Sequence, residues 1–168
     1  MTVTNVQKDT DKLTLDLTAE FDATPERVWQ LWADPRQLER WWGPPTYPAK
    51  FTEHGLTPGD HVAYVMTGPN GEKAPGSWQI LEVDPPRSLS FRDLFANEDG
   101  TPNLDFPETT VHVAIADVGA GRTRMSIQSR FPTPAAMEQL VAMGMVEGLT
   151  EAVGQIDAIL AEQVGSRA

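Results

Sequence analysis

The sequence predicts an α+β domain, a curved antiparallel sheet around a long C-terminal helix, with two short helices after the first strand. Three observations predict it. Runs with a period of two recur between Leu13 and Phe131, separated by turn residues, as half-buried strands joined in a meander require. From Thr133 to about Glu162 the apolar residues instead recur near a 3.6 period, which marks one amphipathic helix. Between the first strand and the rest, four of the five tryptophans (Trp29, Trp32, Trp41 and Trp42) fall in one segment broken by proline and glycine. A lone helix packed on a curved sheet buries its apolar face in the concave side, and the space between them is a natural cavity.

Each element has its own reason. Residues 1–11 are polar and read as a loosely held extension of a single domain spanning 12–162, with a tail over 163–168. Leu13, Leu15, Leu17, Ala19 and Phe21 alternate with polar residues, which predicts the first strand. Thr24 can cap a helix whose first position is Pro25, and Val28, Leu31 and Trp32 follow at helical spacing. Asp34-Pro35 ends that helix and starts a second, whose apolar face is Leu38, Trp41 and Trp42 and whose exit is Gly43-Pro44-Pro45. Strands are then expected at Tyr47 to His54, His61 to Thr67 and Ser77 to Val83. Further strands are expected through Leu89, Phe91, Asp93 and Phe95, through Val111, Val113 and Ile115, and through Met125, Ile127 and Phe131. Gly68-Pro69-Asn70-Gly71 and Gly119-Ala120-Gly121 supply turns, and Asn97 to Pro107 reads as a polar loop. Thr133 caps the last helix, whose stripe runs through Met137, Val141, Met145, Gly148, Ala152, Ile156 and Ile159, widened by Leu140, Leu149, Val153 and Leu160. At 1.5 Å per residue it would be about 40 Å long. Its glycines, Gly144, Gly148 and Gly154, each lower helix stability by about 1 kcal/mol relative to Ala, and on the inner face they leave room for a large neighbour or a ligand.

Composition excludes several functions. The chain has 168 residues and a formal net charge of -11, which repels phosphate backbones, so nucleic acid is not an expected partner. Between Arg92 and Arg122 there is no basic residue, while six acids occur. With no cysteine there is no disulfide, thiolate nucleophile or Cys-ligated metal. The N-terminus lacks the pattern of a signal peptide and no run approaches the roughly 18 apolar residues of a membrane span, so the expected location is cytoplasmic without membrane insertion. His54, His61 and His112 have no metal-ligand spacing, and strand parity turns His61 and His112 to solvent. Around Asn97-Glu98-Asp99-Gly100, Phe95 and Phe106 stand where a calcium loop needs its first ligand and its bidentate Glu. No metal and no cofactor is expected. No phosphate loop, dinucleotide fingerprint or nucleophile elbow is present.

The residues also resemble a known family. Phe21-Asp22-Ala23-x-Pro25-x-x-Val28-Trp29, then Trp32-x-Asp34-Pro35, Leu38 and Trp41-Trp42-Gly43-Pro44, is similar to the opening motif of the activator of Hsp90 ATPase homologue 1-like family, within the START/Bet v 1-like (SRPBCC) superfamily. Pro58-Gly59-Asp60, Gly68-Pro69-Asn70-Gly71, Leu81-Glu82-Val83-Asp84-Pro85-Pro86 and Met143-Gly144-Met145-x-Glu147-Gly148 extend the resemblance over about residues 12–162. It implies a helix-grip fold with a hydrophobic cavity between sheet and C-terminal helix. It also implies a lipid or polyketide binder, an aromatase/cyclase or a cochaperone domain. Two positions depart from the pattern: Gly59-Asp60 replaces a usual Gly-Gly, and Trp78 stands where a small residue is common, which would narrow an inward-facing cavity. The larger Hsp90 activator has a separate N-terminal domain for which this chain has no room, so an Hsp90-type chaperone is not the expected partner.

Candidate ligand-binding residues follow from the faces these elements present. Trp29 and Trp32 read as core. Trp41 and Trp42 are adjacent, so they cannot share a helix face, and either could stand at the cavity mouth. The strands offer Tyr64, Met66, Trp78, Phe91 and Met125, with Ser129 as a weaker polar candidate, and the long helix offers Val141, Met145 and Leu149. Methionine adapts to varied apolar shapes. Asp93 shares the face of Leu89 and Phe91. If that face lines a cavity, its carboxyl stands in an apolar setting that raises its pKa, where it could hold a ligand hydroxyl or act as acid and base. The expected function is binding, rather than catalysis, of a small hydrophobic or amphipathic molecule such as a lipid, polyketide or aromatic metabolite. One alternative is a polyketide cyclase or dehydratase using Asp93. A second is a chaperone-binding or self-associating module that would form a homodimer through Met143 and Val146.

Overall fold

The computed structural model describes residues 3–166, with the side chains of residues 3–162. Eight strands form one antiparallel sheet: β1 (Val3–Asp9), β2 (Thr14–Phe21), β3 (Ala49–Glu53), β4 (His61–Thr67), β5 (Lys73–Asp84), β6 (Ser88–Phe95), β7 (Thr109–Gly119) and β8 (Arg122–Arg130). Their spatial order is β1-β2-β8-β7-β6-β5-β4-β3, so β2, formed early in the chain, pairs with the last strand and the rest is a meander. Helices α1 (Pro25–Ala33) and α2 (Pro35–Leu38) follow β2, and α3 (Pro134–Ala142), α4 (Met145–Gly154) and α5 (Ile156–Ser166) follow β8. The sheet curves around the C-terminal helical segment, the helix-grip arrangement.

Alternation explains which face is buried. Leu15, Leu17, Ala19 and Phe21 of β2, Leu89 and Phe91 of β6, Val111, Val113 and Ile115 of β7, and Met125 and Ile127 of β8 are all buried on the concave side. The caps expected at the helix starts form: the hydroxyls of Thr24 and Thr133 accept from the backbone N–H groups of Arg27 and Ala136, and the Asp34 carboxylate accepts from that of Arg36. Each satisfies one donor the first turn leaves free.

Three expectations change. The segment read as a loose extension is strand β1, paired with β2 from Val3↔Ala19 to Asp9↔Thr14. Most of its residues are exposed, so it lacks the apolar alternation of a strand with one buried face, and backbone pairing holds it at the sheet edge. The two short helices therefore follow the second strand. The single long helix is interrupted twice. Gly144 adopts φ 91° between α3 and α4, a left-handed conformation that glycine enters without the Cβ penalty. The break at Gln155 is milder, with right-handed geometry, and the Gln155 Nε2 donates to the Gly43 carbonyl at 2.7 Å, tying α4 to the exit from α2. The tail expected from residue 163 is helical through Ser166, and its last two residues lie outside the described range.

The core is uneven. The main cluster joins Trp29 and Trp32 of α1, and Trp41 and Trp42 in the turn past α2, to the sheet and to Ile156, Ile159 and Leu160 of α5. A smaller one gathers Leu15, Phe131, Met137 and Leu140 under α3, with Val141, Met145 and Val146 against it. Met143 is about half exposed while Val146 packs inward, so the two do not form a shared exposed patch. Among the described residues no helix is long and apolar enough to cross a membrane.

Candidate functional site

Strands β4, β5 and β6 place an ionisable pair on the concave face. Tyr64 of β4 lies opposite Gly76 of β5, which in turn pairs with Phe95 of β6. A Cβ on Gly76 would collide with the Tyr64 ring and hydroxyl. The bare glycine therefore lets the ring lie across β5, and its hydroxyl donates to Asp93 Oδ1 on β6 at 3.1 Å. Asp93 faces inward because β6 alternates Leu89, Phe91 and Asp93, and its cross-strand neighbours are Trp78 and Thr109.

Burial dominates the electrostatics of the pair. It pushes the Asp93 carboxyl up to about 7, against the Tyr64 hydrogen bond, which favours the ionised form. The Tyr64 phenol is driven well above its usual range, first by burial and then by the neighbouring Asp93 charge. The indole N–H groups of Trp42 and Trp78 lie near enough to the Tyr64 oxygen to oppose that shift, yet neither forms a hydrogen bond of good geometry, and both nitrogens are buried. Two unpaired buried donors converging on one hydroxyl are unusual, because a buried polar group without a partner is costly.

Two adjoining cavities meet at this pair. One, of about 280 Å³, lies between β4, β5 and β6 on one side and the α3–α4 break on the other, where Leu140, Met143, Gly144 and Met145 contribute. Phe95, Pro107 and Thr109 close part of its wall. The other, of about 210 Å³, runs under α4 to Trp42 and Pro44, past Val111, Ile127, Ser129, Gly148 and Leu149. Tyr64, Met66, Asp93 and Met145 line both. Among the described residues, Tyr64 and Asp93 are the only ionisable side chains on either wall. The arrangement can bury an apolar body, orient a polar end at Asp93, and hold or release a proton there.

The structure brings Trp42, Tyr64, Met66, Asp93, Met145 and Leu149 together on these walls, with Ser129. It places five other candidates elsewhere. Trp41 is fully buried, its indole nitrogen donating to the Leu31 carbonyl at 3.0 Å and its ring 4.8 Å from Trp32. Trp78 and Phe91 stack on each other at 4.1 Å and fill their part of the concave face. Met125 lies in the core with its sulfur 3.3 Å from the Trp32 indole nitrogen. Val141 faces Leu13, Met137 and the β1–β2 turn, because the Gly144 break separates its helix from the one that carries Met145. A continuous helix would have set the two on one face at i, i+4.

The histidines lie away from the cavities. His61 contacts Glu53 at 2.9 Å and His112 contacts Ser90 at 2.7 Å, both on the exposed face. His54 Nε2 lies 2.9 Å from the Trp32 carbonyl, and burial lowers its pKa. Among the described residues no group of three or more His, Cys, Asp or Glu could hold a metal.

Sequence reading missed Gly76, Pro107 and Thr109 as wall residues. Gly76 carried a usable signal, since glycine inside a strand marks a close approach. Pro107 and Thr109 carried none, because their place depends on how the loop before β7 folds back.

An antiparallel sheet gripping a C-terminal helix over apolar space defines the helix-grip class. The model of the family described as activator of Hsp90 ATPase homolog 1-like protein matches residues 22–161, and the chain belongs to this family. A crystallised protein from Mycobacterium smegmatis is 48% identical, with a TM-score of 0.87 over 94% of this chain and 96% of its own. A protein from Arthrobacter aurescens is also 48% identical, with a TM-score of 0.91 over 96% and 93%. A protein from Staphylococcus epidermidis, at 22% identity and a TM-score of 0.81 over 95% of each chain, shares the fold. Among curated proteins none matches.

Proposed function

We propose that this protein binds a small apolar or amphipathic molecule in the paired cavities under α4, its polar end at Asp93 and Tyr64. The observation that carries the reading is the meeting of two otherwise apolar cavities at one ionisable pair, the buried Tyr64 and the half-buried Asp93. Binding sites of small molecules combine mostly apolar walls with a few convergent polar groups. Burial of the ligand's apolar surface would supply affinity at about 25 cal/mol per Å². Lipids, polyketides and aromatic metabolites are the candidate ligands, and the reading requires no chaperone partner.

Gly148 supplies the test. A Cβ there meets no atom within 4 Å, and the residue lines the inner cavity. Gly148→Leu should fill that space while improving the helix. The expected outcome is a ligand-induced rise in melting temperature across a lipid and polyketide panel for the native protein, lost in Gly148→Leu without loss of folding. Equal responses from the two proteins would refute the cavity as the site.

A second reading is favoured by Asp93 itself. A carboxyl held near 7 can both give and take a proton at neutral pH, as a cyclase or dehydratase acting on a polyketide-like substrate would need. Turnover of such a substrate, with a rate that follows Asp93 ionisation, would establish it. Binding without turnover leaves the first reading alone.

A further inference from the structure

We propose that the ligand is an amphipathic amine, its protonated nitrogen held by the Asp93 carboxylate beside the Trp42 and Tyr64 rings. The proposal rests on the binding function above and names the chemical class bound.

The sign of the site is the first argument. Among the described residues no Lys, Arg or His lines either cavity. A carboxylate- or phosphate-headed molecule would meet Asp93 with no compensating charge, and buried charges persist only when paired. Above pH 7, where the carboxyl is ionised, a neutral molecule would leave it without a counter-ion. A cation resolves both.

The surroundings of Asp93 are the second argument. Among the described residues its one side-chain hydrogen bond comes from Tyr64 of β4. Across β5 stand Gly76 and Trp78, across β7 Thr109, and from α4 Met145, none of them charged. The adjacent Arg92 is spent elsewhere, donating to both oxygens of Glu108 at 2.6 and 2.8 Å and to Gln79. The Trp42 and Trp78 N–H groups lie near the Tyr64 oxygen, and the phenol donates to Asp93 Oδ1. Oδ2 is left for the ligand.

The walls fit the same class. Indole and phenol rings attract cations, and the thioethers of Met66 and Met145 adapt to an apolar body of varied shape. A net charge of -11 raises the local concentration of cations around the molecule.

The experiment compares three probes of one shape, 4-phenylbutylamine, 4-phenylbutanol and 4-phenylbutyrate, by calorimetric titration of the full chain at pH 8. The amine should bind about tenfold or more tighter than the alcohol, a difference that one charge-assisted contact can supply, and the butyrate should not bind. Asp93→Asn should erase the preference for the amine and keep the affinity for the alcohol. In the native protein the amine's affinity should fall as pH drops through about 7, with the alcohol's unchanged. That titration tests the proposal even if the variant fails to fold. Alcohol or butyrate binding as tightly as the amine, or an amine preference that survives in Asp93→Asn, overturns the amine while leaving a binding cavity. Binding by none of the three overturns both.

Discussion

The concave face has a filled half and an open half. Under α1 and α2, Trp32, Trp41, Trp78 and Phe91 are all fully buried, and their rings interlock. Trp32 alone lies within 4.8 to 6.1 Å of Trp41, Trp42, Trp78 and Phe91. Under α3 and α4 the same sheet meets methionines and glycines, and space remains. The sheet is continuous, so the difference comes from what covers it. Large rigid rings fill a curved surface, and the Trp41 N–H finds a fixed partner in the Leu31 carbonyl. A helix interrupted at Gly144 and bare at Gly148 cannot follow the same curve with side chains. Stability is concentrated in one half and adaptability in the other.

The largest expected effect tests that division. Trp32→Ala removes a ring at the centre of the filled half and should cost about 3–5 kcal/mol. Met145→Ala, bordering space that already exists, should cost about 1 kcal/mol, since fewer atoms lose partners. Urea denaturation of both variants measures the ratio, and comparable losses would erase the distinction.

Asp93 gives the next effect and works in the opposite direction. Its carboxyl titrates near 7 in the folded protein instead of 3.8, so the folded state binds more protons than the unfolded one between those values. Stability should therefore fall as pH rises from about 4 to about 7 and level off above. Because the side chain is partly reached by solvent, the cost above pH 7 is set at about 2 kcal/mol. Asp93→Asn should be the more stable protein at pH 8 and should lose this slope in melting temperature. An unchanged slope would mean that Asp93 does not sit in the apolar environment on which the proposed site rests.

The two halves also differ in how far the sequence revealed them. The filled half was legible because its signals are local. Thr24-Pro25 and Asp34-Pro35 cap and start helices, and the buried strand residues alternate. Tyr64, Met66 and Asp93 were nameable as candidates because parity sets the face of a strand residue, and Met145 and Leu149 because helical spacing sets the face of a helix residue. Trp78, Phe91 and Met125 follow the same parity rules and Trp41 has the same chemistry as Trp42, yet all four are packed solid. Only the distance between sheet and helix separates lining from core, and no residue pattern carries that distance. Val141 was misplaced by the helix break, which needs one glycine in a left-handed conformation and leaves no mark in hydrophobic periodicity. Strand β1 was missed because an edge strand exposed on both faces has no alternation to read.

The smallest effect is a difference in sign between two glycines four residues apart. Gly144 has φ 91° and Gly148 does not share that conformation. Neither would bring a Cβ against a neighbour, so sterics with the rest of the protein are equal and only the backbone differs. Ala at 144 must either hold a left-handed conformation, at about 1 kcal/mol, or straighten the α3–α4 junction and draw Met143 and Met145 off the cavity wall. Ala at 148 stays within a regular helix and should gain up to about 1 kcal/mol in helix propensity. Paired denaturation curves should therefore move in opposite directions, with Gly144→Ala below the native protein and Gly148→Ala at or above it. If both moved upward, the break would be a soft feature of the helix, and the open half would be held open by its side chains instead of its backbone.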